Sequence, residues 1–174
     1  MKELFALFAQ IALSRKGPQD LPASSVVLVL TVAGYWLIRY IVSLAVPPTE
    51  HWRLHLTVET VFMLVWYAAL LRAVGKPERF LQTATAIFGV WLVLGPPWVI
   101  VIHFSQTLPV GNVLYAPMLL IALAIVIWII RAISYVLKHA LEMPIAACVL
   151  LTILQIFTGE LVMRAVSPPQ LLNN

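Results

Sequence analysis

Residues 113–137 read VLYAPMLLIALAIVIWIIRAISYVL, an apolar run interrupted by one charge, Arg131. A run of this length is what a helix needs to cross the ~30 Å of hydrocarbon in a bilayer. In lipid the backbone has no water to bond, so the run closes its hydrogen bonds internally as a helix. Working outward, four more runs of the same kind occupy roughly 24–46, 55–75, 80–104 and 143–165. The connections are short: Pro47-Pro48 through Arg53, Gly75 through Arg79, Ser105 through Asn112, and Lys138 through Glu142. Short connections make successive helices antiparallel neighbours. The sequence therefore predicts an all-α membrane protein, a bundle of five transmembrane helices forming one domain over 1–174.

Composition supports that reading. Of 174 residues, 62% are hydrophobic and 10% charged, whereas a soluble domain carries about 25% charge. The formal net charge of +4 does not point to nucleic acid, because the cations lie between apolar runs rather than in one patch. The single cysteine, Cys148, sits inside an apolar run, which excludes an intrachain disulfide or a cysteine-based metal cluster. No cofactor motif is present, and no nucleic-acid partner is expected.

Ahead of the first run, residues 2–16 place Leu4, Leu7, Phe8 and Ile11 at helical spacing between charged ends. This predicts an amphipathic interfacial helix over 1–16. Arg15 and Lys16 follow its apolar part directly, which argues against a cleaved signal peptide. Gly17, Pro18 and Pro22 then break the chain. Lys2, Arg15, Lys16, Arg72, Lys76, Arg79, Arg131 and Lys138 all fall on one side of the predicted membrane; Arg53 and Arg164 fall on the other. By the positive-inside rule the N-terminus is cytoplasmic and the C-terminus outside.

Polar groups within a span are expensive and are functional candidates for that reason. Arg39 and Glu59 fall in the outer half of the first two spans, where they are expected either to pair as a packing device or to line a polar cavity. Glu160 and Arg164 are four residues apart on the last span, acid before base, the favourable order for an intrahelical pair. His51, His55 and Glu59 recur every four residues, so a continuous helix puts two imidazoles and a carboxylate on one stripe, a set that Zn²⁺ accepts. His103 is expected on the same side of the membrane. Gly95, Pro96 and Pro97 introduce a kink in the third span, either a packing feature or the broken helix of a transporter site. No nucleophile elbow, Walker loop or dinucleotide fingerprint occurs, and Ser134 with His139 is a poor basis for catalysis, so no enzyme is expected.

The layout and one local segment carry a family likeness. Gly75-Lys76-Pro77-Glu78-Arg79-Phe80-Leu81-Gln82-Thr83 is a Gly-basic stretch followed by Phe and a polar pair entering the third span, with Pro96 further along it. The fourth and fifth spans, Leu119 to Phe157, are joined by the basic hinge Lys138-His139. Over roughly 20–165 the chain resembles the Yip1-domain membrane proteins and their bacterial relatives. The resemblance implies five spans, a cytoplasmic N-terminus and a non-enzymatic inner-membrane role. The family's eukaryotic members engage small GTPases through a longer cytoplasmic portion with an acidic, Tyr-Gly-containing motif. That motif is missing here, so neither GTPase binding nor any site residue carries over.

Two functions follow as expectations. The first is a membrane scaffold or interaction protein whose partners are the lipid bilayer and a membrane protein or a second copy of the chain. The alternative is a small oligomeric transporter or channel subunit with a polar outer-leaflet pathway through Arg39, Glu59, Glu160 and the Pro96-Pro97 kink.

Overall fold

A computed structural model of the chain describes residues 2–45, 52–109 and 112–166. They form six helices: α1 (Lys2–Ala12), α2 (Ser25–Ala45), α3 (Trp52–Ala73), α4 (Phe80–Thr107), α5 (Tyr115–Leu141) and α6 (Ile145–Val166), with short 3₁₀ turns at Pro18–Asp20 and Pro77–Arg79. Among the described residues there is no strand, and α2 to α6 are the five helices long and apolar enough to cross a membrane. The chain is thus a polytopic helical membrane protein. We call the end where α4 begins and α5 finishes the near end, and the opposite one the far end.

Helix boundaries follow capping chemistry as much as hydrophobicity. The N-terminal helix stops at Ala12, short of the predicted residue 16, because Ser14 turns left-handed at φ 57°. Its N–H then reaches the Ile11 carbonyl at 2.8 Å while Arg15 N–H reaches Gln10 at 2.9 Å, the paired bonds that close a helix C-terminus. α3 ends the same way: Gly75 at φ 71° bonds back to Arg72, and Lys76 to Leu71. Glycine carries no Cβ penalty in that conformation. α5 runs on to Leu141, past the predicted 137, and stops where Glu142 turns left-handed at φ 56°.

The core lies at the near end. Thr83, Ala84, Thr85, Ala86, Ile87, Phe88, Gly89 and Val90 are consecutive and all buried, so this half of α4 is enclosed on every face. Small side chains let neighbouring backbones approach, and the two threonine hydroxyls donate to their own helix, at the carbonyls of Arg79 and Leu81. α2, α5 and α1 supply the enclosure. Tyr35 of α2 packs its ring 5.6 Å from that of Phe88.

The apolar stripe of α1 does not lie open to lipid. Phe8 and Ile11 are buried, Leu4 and Leu7 pack against the same core, and Phe5 and Leu13 are left exposed. Phe8 presses on Gly89, where an added Cβ would fall 2.3 Å from the ring. The Trp128 indole N–H donates to the Ala12 carbonyl at 2.8 Å, tying the end of α1 to α5. The stripe expected to meet a membrane surface is therefore largely spent within the protein.

Sequence neighbours are not all neighbours in space. α2 packs closely on α4, whereas α2 and α3 stay apart and touch through long side chains. Gly34 brings α2 against Leu92 of α4, while Trp36, Tyr40 and Trp52 fill the space toward α3, Tyr40 and Trp52 with ring centroids 6.3 Å apart. Bulk on one face and glycine on the other explain the asymmetry.

Candidate functional site

Within the spans, the far half carries the acid–base pairs Arg39–Glu59 and Glu160–Arg164. On α2, Tyr35, Trp36 and Arg39 sit one turn apart or less, and they meet Glu59 and Thr60 of α3. The Arg39 guanidinium lies 3.9 Å from the Glu59 carboxylate, both about one-third exposed. The buried Tyr35 hydroxyl faces the same carboxylate. One residue along, the Trp36 indole donates to Thr60 Oγ1 at 3.1 Å, and Thr60 donates in turn to the Leu56 carbonyl. These side-chain links hold α2 to α3 where their backbones do not meet.

A second link joins α3 to α6. The buried Tyr67 hydroxyl donates to Gln155 Oε1. Above it a cavity of about 300 Å³ opens between α3, α4 and α6, lined by Glu59, Phe62, Trp91, Gln155, Gly159 and Glu160 among others. Two acids from different helices thus line one space, each with an arginine beside it: Arg39 at Glu59, and Arg164, whose Nε is 2.8 Å from Glu160. The Glu160–Arg164 pair is exposed on both members, and such pairs add little stability.

Between α2 and α3 an apolar groove of about 500 Å³ opens sideways, lined by Leu28, Val29, Val32, Ala33, Trp36 and Leu64. It faces the flank of the bundle rather than either end.

The remaining predicted residues are dispersed. His55 and Glu59 lie one turn apart on α3, and His55 Nε2 is buried without a hydrogen-bond partner. Among the described residues no group of three potential metal ligands converges. His51, the third member of the predicted stripe, lies outside the described residues. His103 stands at the far end of α4 with its ring 6.0 Å from Phe104. Gly95, Pro96 and Pro97 lie within α4, which remains helical through all three; no unwound segment forms there.

The near end holds a charged cluster that the site predictions did not single out. Glu142, just after α5, pairs with Lys76 and with Arg79, the latter at 2.6 Å. Arg79 also donates to the carbonyls of His139 and Ala140, at 3.0 and 3.2 Å, and Lys76 reaches that of Leu141. The α3–α4 connection therefore caps the end of α5 with positive charge, where the helix dipole favours it. Hydrogen bonds from Lys76 and Arg79 hold the Glu142 carboxyl below its ordinary range. A lone acid in a basic loop was the available signal. For Tyr67 and Gln155 the signal was an amide inside an apolar span, and for Trp36 and Thr60 there was none.

Compared with protein-family models, with curated proteins and with solved structures, the chain matches none of them.

Proposed function

We propose that this chain is a non-enzymatic, multi-pass protein of the bacterial inner membrane that acts by lateral association, as a scaffold or interaction protein for another membrane component. The non-enzymatic inner-membrane setting is what the resemblance to the Yip1-domain proteins implies; the association role rests on short connections, few charges within the spans and the amphipathic N-terminal helix. The near end, with its concentration of Lys and Arg, is the cytoplasmic one under the positive-inside rule, and the C-terminus is outside. α1 lies at the cytoplasmic boundary, half in the bundle, with Phe5 and Leu13 turned to lipid.

The observation that carries the reading is the groove between α2 and α3. Its lining is apolar and its opening is lateral, so it suits an occupant that arrives through the membrane rather than from water. A photoreactive phenylalanine analogue placed at Ala33 in living cells is expected to give a discrete adduct. The same analogue at Leu154, exposed on α6, is expected to give only diffuse labelling. Equal, diffuse labelling at both positions would remove the reading.

The cavity bearing Glu59, Glu160 and Gln155 favours a second reading, a small oligomeric transporter or channel subunit with its polar path in the outer leaflet. Solute or ion flux in proteoliposomes that disappears in Glu59→Gln would establish it. Absence of flux in the wild type leaves lateral association ahead.

A further inference from the structure

A cavity of about 390 Å³ opens at the near end among three segments: the 3₁₀ turn at Pro18–Asp20, the first turn of α4 and the last turn of α5. The residues that α4 and α5 give it lie within about a turn of a helix end, so it stands at the edge of the spans rather than inside them. The Gln82 amide donates to the Leu21 carbonyl at 2.6 Å and holds the segment ahead of α2 against α4, closing one wall.

The lining is cationic and only partly satisfied. Arg79, Lys138 and His139 face one acid, Glu142, which is already held by Arg79 and by Lys76. Three fixed positive charges, Lys76, Arg79 and Lys138, thus meet a single negative one. Among the described residues Lys138 makes no ion pair. Arg79 gives N–H groups to the carbonyls of His139 and Ala140 and to Glu142, and keeps two of its five. His139 Nδ1 lies 2.9 Å from the Tyr135 carbonyl. A carbonyl only accepts, so Nδ1 carries the ring proton and Nε2 is the atom left for a ligand.

Donors on separate elements suit a tetrahedral oxyanion. A carboxylate offers two oxygens in one plane, whereas a terminal phosphate offers three in different directions. With a second pKa of about 6, a phosphate monoester also shares a proton with a neighbouring imidazole. Sulfate and a phosphodiester have no such proton to share at neutral pH. The cavity exceeds the size of an inorganic ion and falls within the range of small-molecule sites, which leaves room for an esterified group.

We infer that this near-end cavity binds a phosphate monoester, its oxygens on Lys138 and Arg79 and its proton shared with His139 Nε2. The site is separate from the α2–α3 groove and independent of the lateral-association reading. The monoester arrives either from water or as the headgroup of a lipid such as phosphatidic acid; the chemistry recognised is the same.

The test uses the full-length protein in phosphatidylcholine nanodiscs, titrated calorimetrically with glycerol 3-phosphate, dimethyl phosphate and sulfate. Saturable binding of glycerol 3-phosphate is expected, about tenfold tighter than that of the other two. Lys138 is exposed, so Lys138→Gln keeps the fold and is expected to weaken binding about tenfold. His139→Gln is expected to remove the preference over sulfate. Arg72→Gln makes the same charge change in the last turn of α3, outside the cavity, and is expected to leave binding unchanged. Equal losses in Arg72→Gln and Lys138→Gln would assign the attraction to the whole basic surface and overturn the site. Equal binding of the three probes, or no effect of Lys138→Gln, also overturns it. Replacing part of the lipid by phosphatidic acid, with phosphatidylglycerol as the control, separates the two sources. Competition by phosphatidic acid alone supports the site with a lipid headgroup as its ligand, and unchanged affinity supports it with a soluble ester.

Discussion

The two halves of the bundle are built differently. At the near end α4 is surrounded on every face, α1 is folded against it, and the Lys76–Arg79–Glu142 cluster joins the two loops. Toward the far end α2 and α3 separate around aromatic side chains and are linked by single polar contacts, Trp36 to Thr60 and Arg39 to Glu59, while Tyr67 to Gln155 joins α3 to α6 nearer the middle. Both halves contain apolar helices of similar texture. The difference lies in which residues sit at the contacts: threonine, alanine and glycine permit close approach, whereas tryptophan, arginine and glutamate hold helices apart.

The comparison breaks most readily at the base. Phe8→Ala removes a side chain that is 3% exposed and is expected to destabilise the bundle by about 3 kcal/mol. Gly89→Leu should expel the same ring from the other side. Both variants are expected to lower the thermal midpoint in detergent and to make α1 protease-sensitive; an N-terminus as resistant as the wild type's would mean that α1 does not seal α4. In the middle of the bundle, Gln155→Leu strands the Tyr67 hydroxyl and should cost about 1–2 kcal/mol. A Gln155→Leu/Tyr67→Phe double variant is expected to recover most of that loss, and failure to recover would show that the bond does not join α3 to α6.

Smaller effects sharpen the contrast. In a double-mutant cycle Arg39→Gln and Glu59→Gln are expected to couple by about 1 kcal/mol, since removing either leaves the other charge unpaired in the far half. Additive losses would mean the two groups do not sense each other. At the base, Glu142 has a lowered pKa, so its contribution is complete above the ordinary carboxylate value and is lost as pH falls through the lowered one. The difference in thermal midpoint between the wild type and Glu142→Gln should therefore persist from about pH 8 to pH 5 and close only below the ordinary carboxylate range. Closure of that difference near pH 6 would assign the dependence to a histidine instead. Least of all, Arg164→Gln should shift stability by no more than about 0.5 kcal/mol, because its pairing with Glu160 is exposed.

Much of the base was legible in the sequence. Gly75-Lys76-Pro77 announces a helix end, and the concentration of Lys and Arg in alternate connections marks one side of the bundle. Even so, Glu142 was read only as a boundary residue, because a pairing between two loops depends on which helices stand side by side. Periodicity gave α1 its apolar face but not the object of that face; Gly89, eighty-one positions after Phe8, is where the ring lands. At the top, membrane depth placed Arg39 and Glu59 at similar levels, but the cavity that Glu59 shares with Glu160 depends on α3 and α6 meeting across the bundle.

Run length and backbone hydrogen bonding in lipid are local requirements, so the sequence by itself determined the helices and their number, and their ends to within about one turn. Packing partners are not local. In a membrane every apolar face is equally content with lipid, and contacts are selected by fit between side chains that lie far apart in the chain. Only the tertiary structure could therefore decide that α2 rests on α4 rather than α3, that α1 closes the base, and that a lateral groove remains beneath Arg39.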